Sequence, residues 1–251
     1  MSIRNRKQQG KFKACWLACL LVLLLGSLQP MAGQQTGENE LGGWYMYFGT
    51  NRLSQRWSLH TEAQWRHYQW RGNFNQLLLR TGMNYHINPE AIATLGYAYI
   101  GTDPTFEEKP SQEAAFEGNF FLEHRIFEQF ILLDRIWEFR IEHRYRLEQR
   151  FLDFGGDSDL QHRARYRLQL TLPLTNTFFV NFYDEVFLNL QDEIFGQNRL
   201  YGALGVHLTD NSNVQVGYLK NHFQGADFDR LQVALFYNPD LRGLFNKAKR
   251  D

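Results

Sequence analysis

The segment Arg135–Phe151, RIWEFRIEHRYRLEQRF, constrains the chain more than any other. Trp137, Phe139, Ile141, His143, Tyr145, Leu147, Gln149 and Phe151 occupy one set of alternate positions. Glu138, Arg140, Glu142, Arg144, Arg146, Glu148 and Arg150 occupy the other. Strand side chains point alternately to opposite faces, whereas a helical period of 3.6 residues would scatter these charges around the axis. The segment therefore reads as a strand with one apolar and one fully charged face. Two architectures use such a strand: a soluble sheet with the apolar face inward, and a membrane barrel with the apolar face toward lipid and the polar face toward the lumen.

The same period recurs along the chain. Trp57, Leu59, Thr61, Ala63 and Trp65 alternate with Ser58, His60, Glu62, Gln64 and Arg66. Leu122, His124 and Ile126 alternate with Glu123 and Arg125, and Leu160 to Leu172 alternates with Arg163, Arg165 and Arg167. Further strands are expected at about 74–86, 92–101, 178–190, 199–208, 214–221 and 229–237, the one from Phe178 being untidy around Asp184. Trp44–Phe48 is an odd eleventh segment, either a strand or an inward-folded plug. No helical pattern intervenes, so the expected fold is all-β, a single antiparallel up-and-down transmembrane barrel of about 10–12 strands. Connections after His86, Leu172 and Leu208 read as short, and those after Ile100, Phe151, Leu190 and Asn221 as longer. Strands of this length suit a bilayer crossing of about 9–11 residues.

The N-terminus reads as a cleaved secretory signal over residues 1–33. Arg4, Arg6, Lys7, Lys11 and Lys13 precede the apolar run Ala14–Leu28, and small residues near Gly33 offer a cleavage site. The barrel is expected over 34–238, and 239–251 as a C-terminal periplasmic tail. Both cysteines, Cys15 and Cys19, lie inside the leader, so neither disulfide nor cysteine metal site is expected. The whole chain balances 27 basic against 27 acidic residues, and loss of the five leader cations leaves it at −5. An acidic exported chain is a poor nucleic-acid binder. Aromatics make up 16% of the residues, a richness that suits strands and interfacial girdles.

The strand WSLHTEAQWR (Trp57–Arg66), the segment EHRIFEQF (Glu123–Phe130) and the strand RARYRLQL (Arg163–Leu170) resemble those of a family of uncharacterised exported proteins common in Bacteroidota, the domain of unknown function 2490. The resemblance implies an outer-membrane β-barrel and brings no activity with it.

Inward positions carry the candidate site: Glu62, Arg66, Glu123, Arg125, Glu138, Arg140, Glu142, Arg144, Arg146, Glu148, Arg163, Arg165 and Arg167. Arg56, Arg80, Arg150, Arg199, Arg230 and Glu185 belong to the same inward set. Arginine suits bidentate pairing with carboxylates in a confined space. Two readings follow: an ion-pair network that fills a narrow barrel, and a lumen or narrow pore that attracts a small anionic solute. Ser58 and His60 share an inward face, with His86 or His124 within conceivable reach, which keeps a lipid hydrolase or deacylase as an alternative. A soluble periplasmic ligand-binding barrel is a third reading. Neither metal-ligand spacing nor a phosphate-cradling glycine loop stands out, so no cofactor is expected. The expected partner is outer-membrane lipid, and the expected state a monomer.

Overall fold

A computed structural model describes residues 37, 39–106, 121–191 and 193–243. The leader at 1–33 and residues 244–251 of the tail lie outside the described residues. Eleven strands close into one barrel in chain order. They are β1 Leu41–Arg52, β2 Trp57–His67, β3 Phe74–Asn88, β4 Ala91–Thr102, β5 Phe121–Ile136, β6 Phe139–Asp153, β7 Ser158–Pro173, β8 Phe178–Asn189, β9 Phe195–Thr209, β10 Ser212–Phe223 and β11 Ala226–Tyr237. Every sequential pair is antiparallel. The ring closes through a parallel ladder between β1 and β11, from Leu41 beside Asp229 to Gly49 beside Tyr237. In an up-and-down meander all odd-numbered strands point the same way, so an odd total obliges the first and last strands to meet in parallel. Trp44–Phe48 is thus no plug: it is the middle of a full strand.

Three boundaries differ from the sequence reading. Arg135 and Ile136 end β5, and Trp137 and Glu138 form a two-residue turn before β6. Trp137 adopts φ 55°, the left-handed conformation that tight hairpins need. Glu138 is therefore an exposed turn residue rather than a wall residue. Arg56 likewise lies in the β1–β2 turn, donating from Nη1 to Tyr85 Oη at 3.2 Å. The β10–β11 connection is only Gln224-Gly225, because the strands run on to Phe223 and resume at Ala226, with Gly225 at φ 84°. In β8 the alternation is unbroken at Asp184, which points outward to Asn198 Nδ2 at 2.8 Å. The register shift against β9 falls instead at Phe187/Leu188.

Side-chain chemistry is distributed inside out relative to a soluble domain. Leu95, Leu147, Leu200 and Leu208 point outward and are 61, 50, 50 and 57% exposed. Inward positions hold buried Glu62, Arg80, Glu123, Arg125, Arg146, Glu148, Arg165 and Glu185. Apolar clusters inside are small: Leu78, Ala98 and Ile100 on one wall, and Trp44, Tyr201, Ala203 and Leu219 on another. Several polar side chains on the outer face pair with one another. His143 Nδ1 lies 2.9 Å from Tyr166 Oη, His124 Nδ1 lies 2.5 Å from Tyr97 Oη, and Gln149 Nε2 donates to Glu128 Oε2 at 3.1 Å.

One rim carries the turns at 53–56, 89–90, 137–138, 174–177 and 210–211. The other carries the connections at 68–73, 154–157 and 224–225, together with the ends of β4 and β8 and the starts of β5 and β9. β1 starts at this second rim and β11 ends at the first. Past β11, Pro239–Leu241 stays bound to β1: Arg52 N donates to Pro239 O and Leu241 N donates to Arg52 O, both at 2.9 Å.

Candidate functional site

The lumen is built by side chains that the two-residue period directs inward from all eleven strands. Its centre is Glu148 on β6, whose side chain is wholly enclosed. Oε1 accepts from Arg165 Nη1 at 2.7 Å and from Arg125 Nη1 at 3.4 Å, and Oε2 accepts from Arg163 Nη2 at 2.7 Å. Arg146 Nη1 is 3.7 Å away. Four guanidinium groups from β5, β6 and β7 thus surround one carboxylate. No carboxylate this deep is tolerated without such compensation, because desolvating a lone charge costs several kcal/mol.

From that centre the ion pairs run along the wall. Arg165 bridges Glu148 to Glu185, donating from Nη2 at 2.8 Å and Nε at 3.0 Å, and Glu185 also accepts from Arg144 at 2.7 Å. Glu123 takes Arg125 on one side and a bidentate fork from Arg150 on the other, Nε at 2.8 Å and Nη2 at 2.9 Å. Arg167 donates to Glu142 at 2.5 Å. A separate group on β2 and β3 joins Arg80 to both oxygens of Glu62 at 2.7 Å, with His60 Nε2 3.0 Å from the same carboxylate. Arg66 has no carboxylate partner among the described residues. It donates to the amide oxygens of Gln64, at 2.9 Å, and Gln76, at 2.6 Å.

Of the thirteen candidate residues read from the sequence, Glu138 and Arg140 stay outside this network, one in a turn and the other exposed near the same rim. The remaining eleven face the lumen. The residues that the pattern did not reveal are aromatic. Phe127 and Phe187, 0% and 1% exposed, serve as platforms for arginine. Arg146 lies 4.7 Å and Arg80 5.4 Å from the Phe127 centroid, and Arg165, Arg199 and Arg163 lie 4.2, 4.6 and 5.2 Å from that of Phe187. Such contacts attract a cation by about 0.5–2 kcal/mol. The position of Phe127, between inward Arg125 and Gln129, was the available signal.

The interior is not filled solid. It encloses a cavity of about 610 Å³, whose lining reaches Tyr68, Phe121 and Phe228 toward one rim and Thr50, Leu133 and Asn238 toward the other. Among the described residues, eleven arginines line it against four glutamates, with Glu148 behind them as a fifth acid. Several guanidinium nitrogens are sealed from solvent without an acceptor, among them Arg80 Nε, Arg144 Nε, Arg146 Nη1, Arg167 Nε and Arg199 Nε. Among the described residues, the arginines lining the cavity thus outnumber the carboxylates that meet them.

The family described as protein of unknown function (DUF2490) matches residues 41–232. The chain belongs to this family. Its match runs from the first residue of β1 to the middle of β11, so membership covers nearly the entire closed barrel. No curated protein matches the chain.

Ser58 finds His86 rather than His60. Its Oγ, fully buried, lies 2.8 Å from His86 Nε2 and accepts from Asn84 Nδ2 at 3.1 Å. Arg52 Nη1 stands 3.2 Å from that same imidazole nitrogen and competes for the lone pair that a general base would use. His60 is turned to Glu62. This geometry gives the hydrolase alternative no support. Among the described residues no cluster of three or more His, Cys, Asp or Glu is disposed to hold a metal ion.

Proposed function

We propose that this chain is exported, loses residues 1–33, and spans the bacterial outer membrane as a monomeric barrel whose lumen favours small anions over cations. The observation that carries the reading is the pairing of an apolar exterior with an interior that holds, among the described residues, eleven arginines against five glutamates. A soluble ligand-binding barrel would bury its apolar set, whereas here Leu95 and Leu147 face out and the arginines face in. Strands of 11–16 residues are long enough to cross a bilayer when tilted. The exported Bacteroidota proteins that the chain resembles fit the same picture.

Anion preference follows from the sign of the interior field. Rings of arginine or lysine select for anions in pores, and the unpartnered guanidinium nitrogens offer hydrogen bonds that replace a lost hydration shell. The cavity lining that reaches toward both rims favours a route over a sealed lattice.

The test is a reversal potential in planar bilayers under a salt gradient. Currents carried mainly by chloride, with preference lost in an Arg144→Glu, Arg165→Glu variant, are the expected result. Absence of channel events, or cation preference in the unaltered protein, overturns the reading. Fractionation addresses the membrane directly: release of the protein without detergent contradicts an integral barrel.

A further inference from the structure

We propose that the lumen contains a subsite for a small hydroxylated organic anion, of the sugar-acid or sugar-phosphate class, built by Arg66, Arg199, Trp44, Gln197 and Asn221. This rests on the anion-preferring lumen above and places a discriminating site within it.

The inward acids of the barrel are unevenly distributed. They lie on β2, β5, β6 and β8, whereas the contiguous wall β9–β10–β11–β1 lines the cavity with Arg199 and Arg230 and without an acid. Arg199 stands beside Glu185 in the ladder, but that carboxylate is taken by Arg144 and Arg165. Across the lumen edge, Arg66 donates only to neutral amides among the described residues, and Glu62 reaches it through Gln64. Both cations converge on a single indole: the Arg66 guanidinium lies 3.9 Å and that of Arg199 5.0 Å from the Trp44 centroid. Two cations thus share one ring, and neither hydrogen-bonds a carboxylate among the described residues.

Hydrogen-bond accounting independently points to a ligand there. Trp44, 4% exposed, keeps its indole N–H sealed from solvent without an acceptor, and Arg199 Nε is in the same condition. Buried donors are satisfied in nearly all native proteins, and each one left over costs about 1–3 kcal/mol. An anionic group seated at Trp44 gains two charges and two waiting donors at once.

One alternation toward the long-loop rim from Arg199 and from Leu219, the acceptors Gln197 Oε1 and Asn221 Oδ1 are likewise buried and unpartnered. An inorganic anion offers mainly acceptors and would leave these two idle. A ligand carrying hydroxyl groups beside its carboxylate or phosphate satisfies both sets. The class is set by this mixed demand: acceptors and charge at one end, donors at the other.

The experiment is calorimetric titration of the detergent-solubilised full barrel with glucuronate, glucose 6-phosphate, glucose and inorganic phosphate. The expected result is binding of glucuronate, glucose 6-phosphate or both, and at least tenfold weaker binding of glucose and of inorganic phosphate. Arg66→Gln and Arg199→Gln are each expected to weaken that binding about tenfold or more, and Trp44→Phe, which keeps the ring and removes the N–H, severalfold. Gln197→Ala with Asn221→Ala leaves every arginine in place and is expected to weaken the sugar anion while leaving phosphate unchanged. Heat-modifiable migration on gels reports whether each variant remains a folded barrel. Undetectable binding of both sugar anions, equal affinity for phosphate, or unchanged affinity in a folded Arg199→Gln variant overturns the subsite. Chloride preference retained while both sugar anions fail to bind removes the subsite alone, and absence of that preference removes the lumen reading itself.

Discussion

Trp44 in the first strand and Gln232 in the last stand opposite each other in a ladder whose two strands point the same way. This pairing is what makes the barrel closed, since every other seam is an antiparallel hairpin. It also sets Trp44 inward, where the arginines meet it, because a slip of one residue would turn it to the outer face.

The parallel seam is testable by cross-linking. Tyr45 and Val233 are register partners and both point outward. Neighbouring strands lie about 4.8 Å apart, within the Cα separation that a disulfide accepts. A Tyr45→Cys, Val233→Cys variant, made in a chain whose native cysteines are Cys15 and Cys19, is expected to oxidise to an intrachain bridge seen as faster gel migration. Readier bridging in a Tyr45→Cys, Asp229→Cys variant than in this one would contradict the register.

Glu148 is the hub of the ion-pair chain: its removal leaves Arg163 without its carboxylate and takes one of two carboxylates from Arg125 and Arg165. Glu148→Gln is expected to lower stability in lipid vesicles by about 3–5 kcal/mol, the range found when one partner of a buried pair is deleted. Glu142, partly exposed and bound to Arg167 alone, should lose much less. Equal urea midpoints for the two variants would show that the enclosed, multiply paired position of Glu148 does not set the cost.

Gly96 lies under the ring of Phe127. A methyl group there would meet that ring and, at 2.6 Å, the carbonyl of Thr81. Gly96→Ala is expected to destabilise by about 1–3 kcal/mol through overpacking, and Phe127→Leu to relieve part of that loss in a double-mutant cycle. Additive losses would place the strain elsewhere.

Glu128 projects outward and touches only Gln149 among the hydrogen bonds of the outer face. In a lipid-facing position its replacement by leucine should raise stability by about 1 kcal/mol, since acidic residues there cost less than arginine or lysine but still cost. A clear loss of stability in vesicles would argue against lipid at this point of the wall.

The segment after β11 carries a pH signature. Hydrogen bonds from Arg242 hold the Asp240 carboxyl down to about 2. A depressed carboxyl contributes above its unfolded value near 4, and the contribution is lost as pH falls through the folded one. The protection factor of the Leu241 amide, which donates to Arg52 O, should therefore fall between about pH 4 and 2. Constant protection over that window would remove the link.

Strand identity and facing were legible because a period of two survives in each segment by itself. The β5–β6 turn was hidden because Trp137 replaces the glycine or asparagine that usually marks a left-handed position. A subtler trace existed: outward residues fall on even numbers through Ile126 and on odd numbers from Phe139, and such a switch of parity requires a turn or a bulge between them. The pairing of particular arginines was not legible. Glu148 stands opposite Arg163 in the ladder, yet it also binds Arg165 two residues further on, a diagonal that depends on the stagger of the closed barrel. Closure itself joins residues nearly two hundred positions apart, and no local pattern encodes it.

Eleven strands give the barrel a direction that an even number would cancel. Leu41 begins at one rim and Tyr237 finishes at the other. Set in a membrane, such a chain delivers its two ends to different compartments, so whatever is attached ahead of β1 and whatever follows β11 would meet different solvents, proteases and partners. Gain or loss of a single strand would carry one end across the bilayer while leaving every remaining wall residue facing the way it does now.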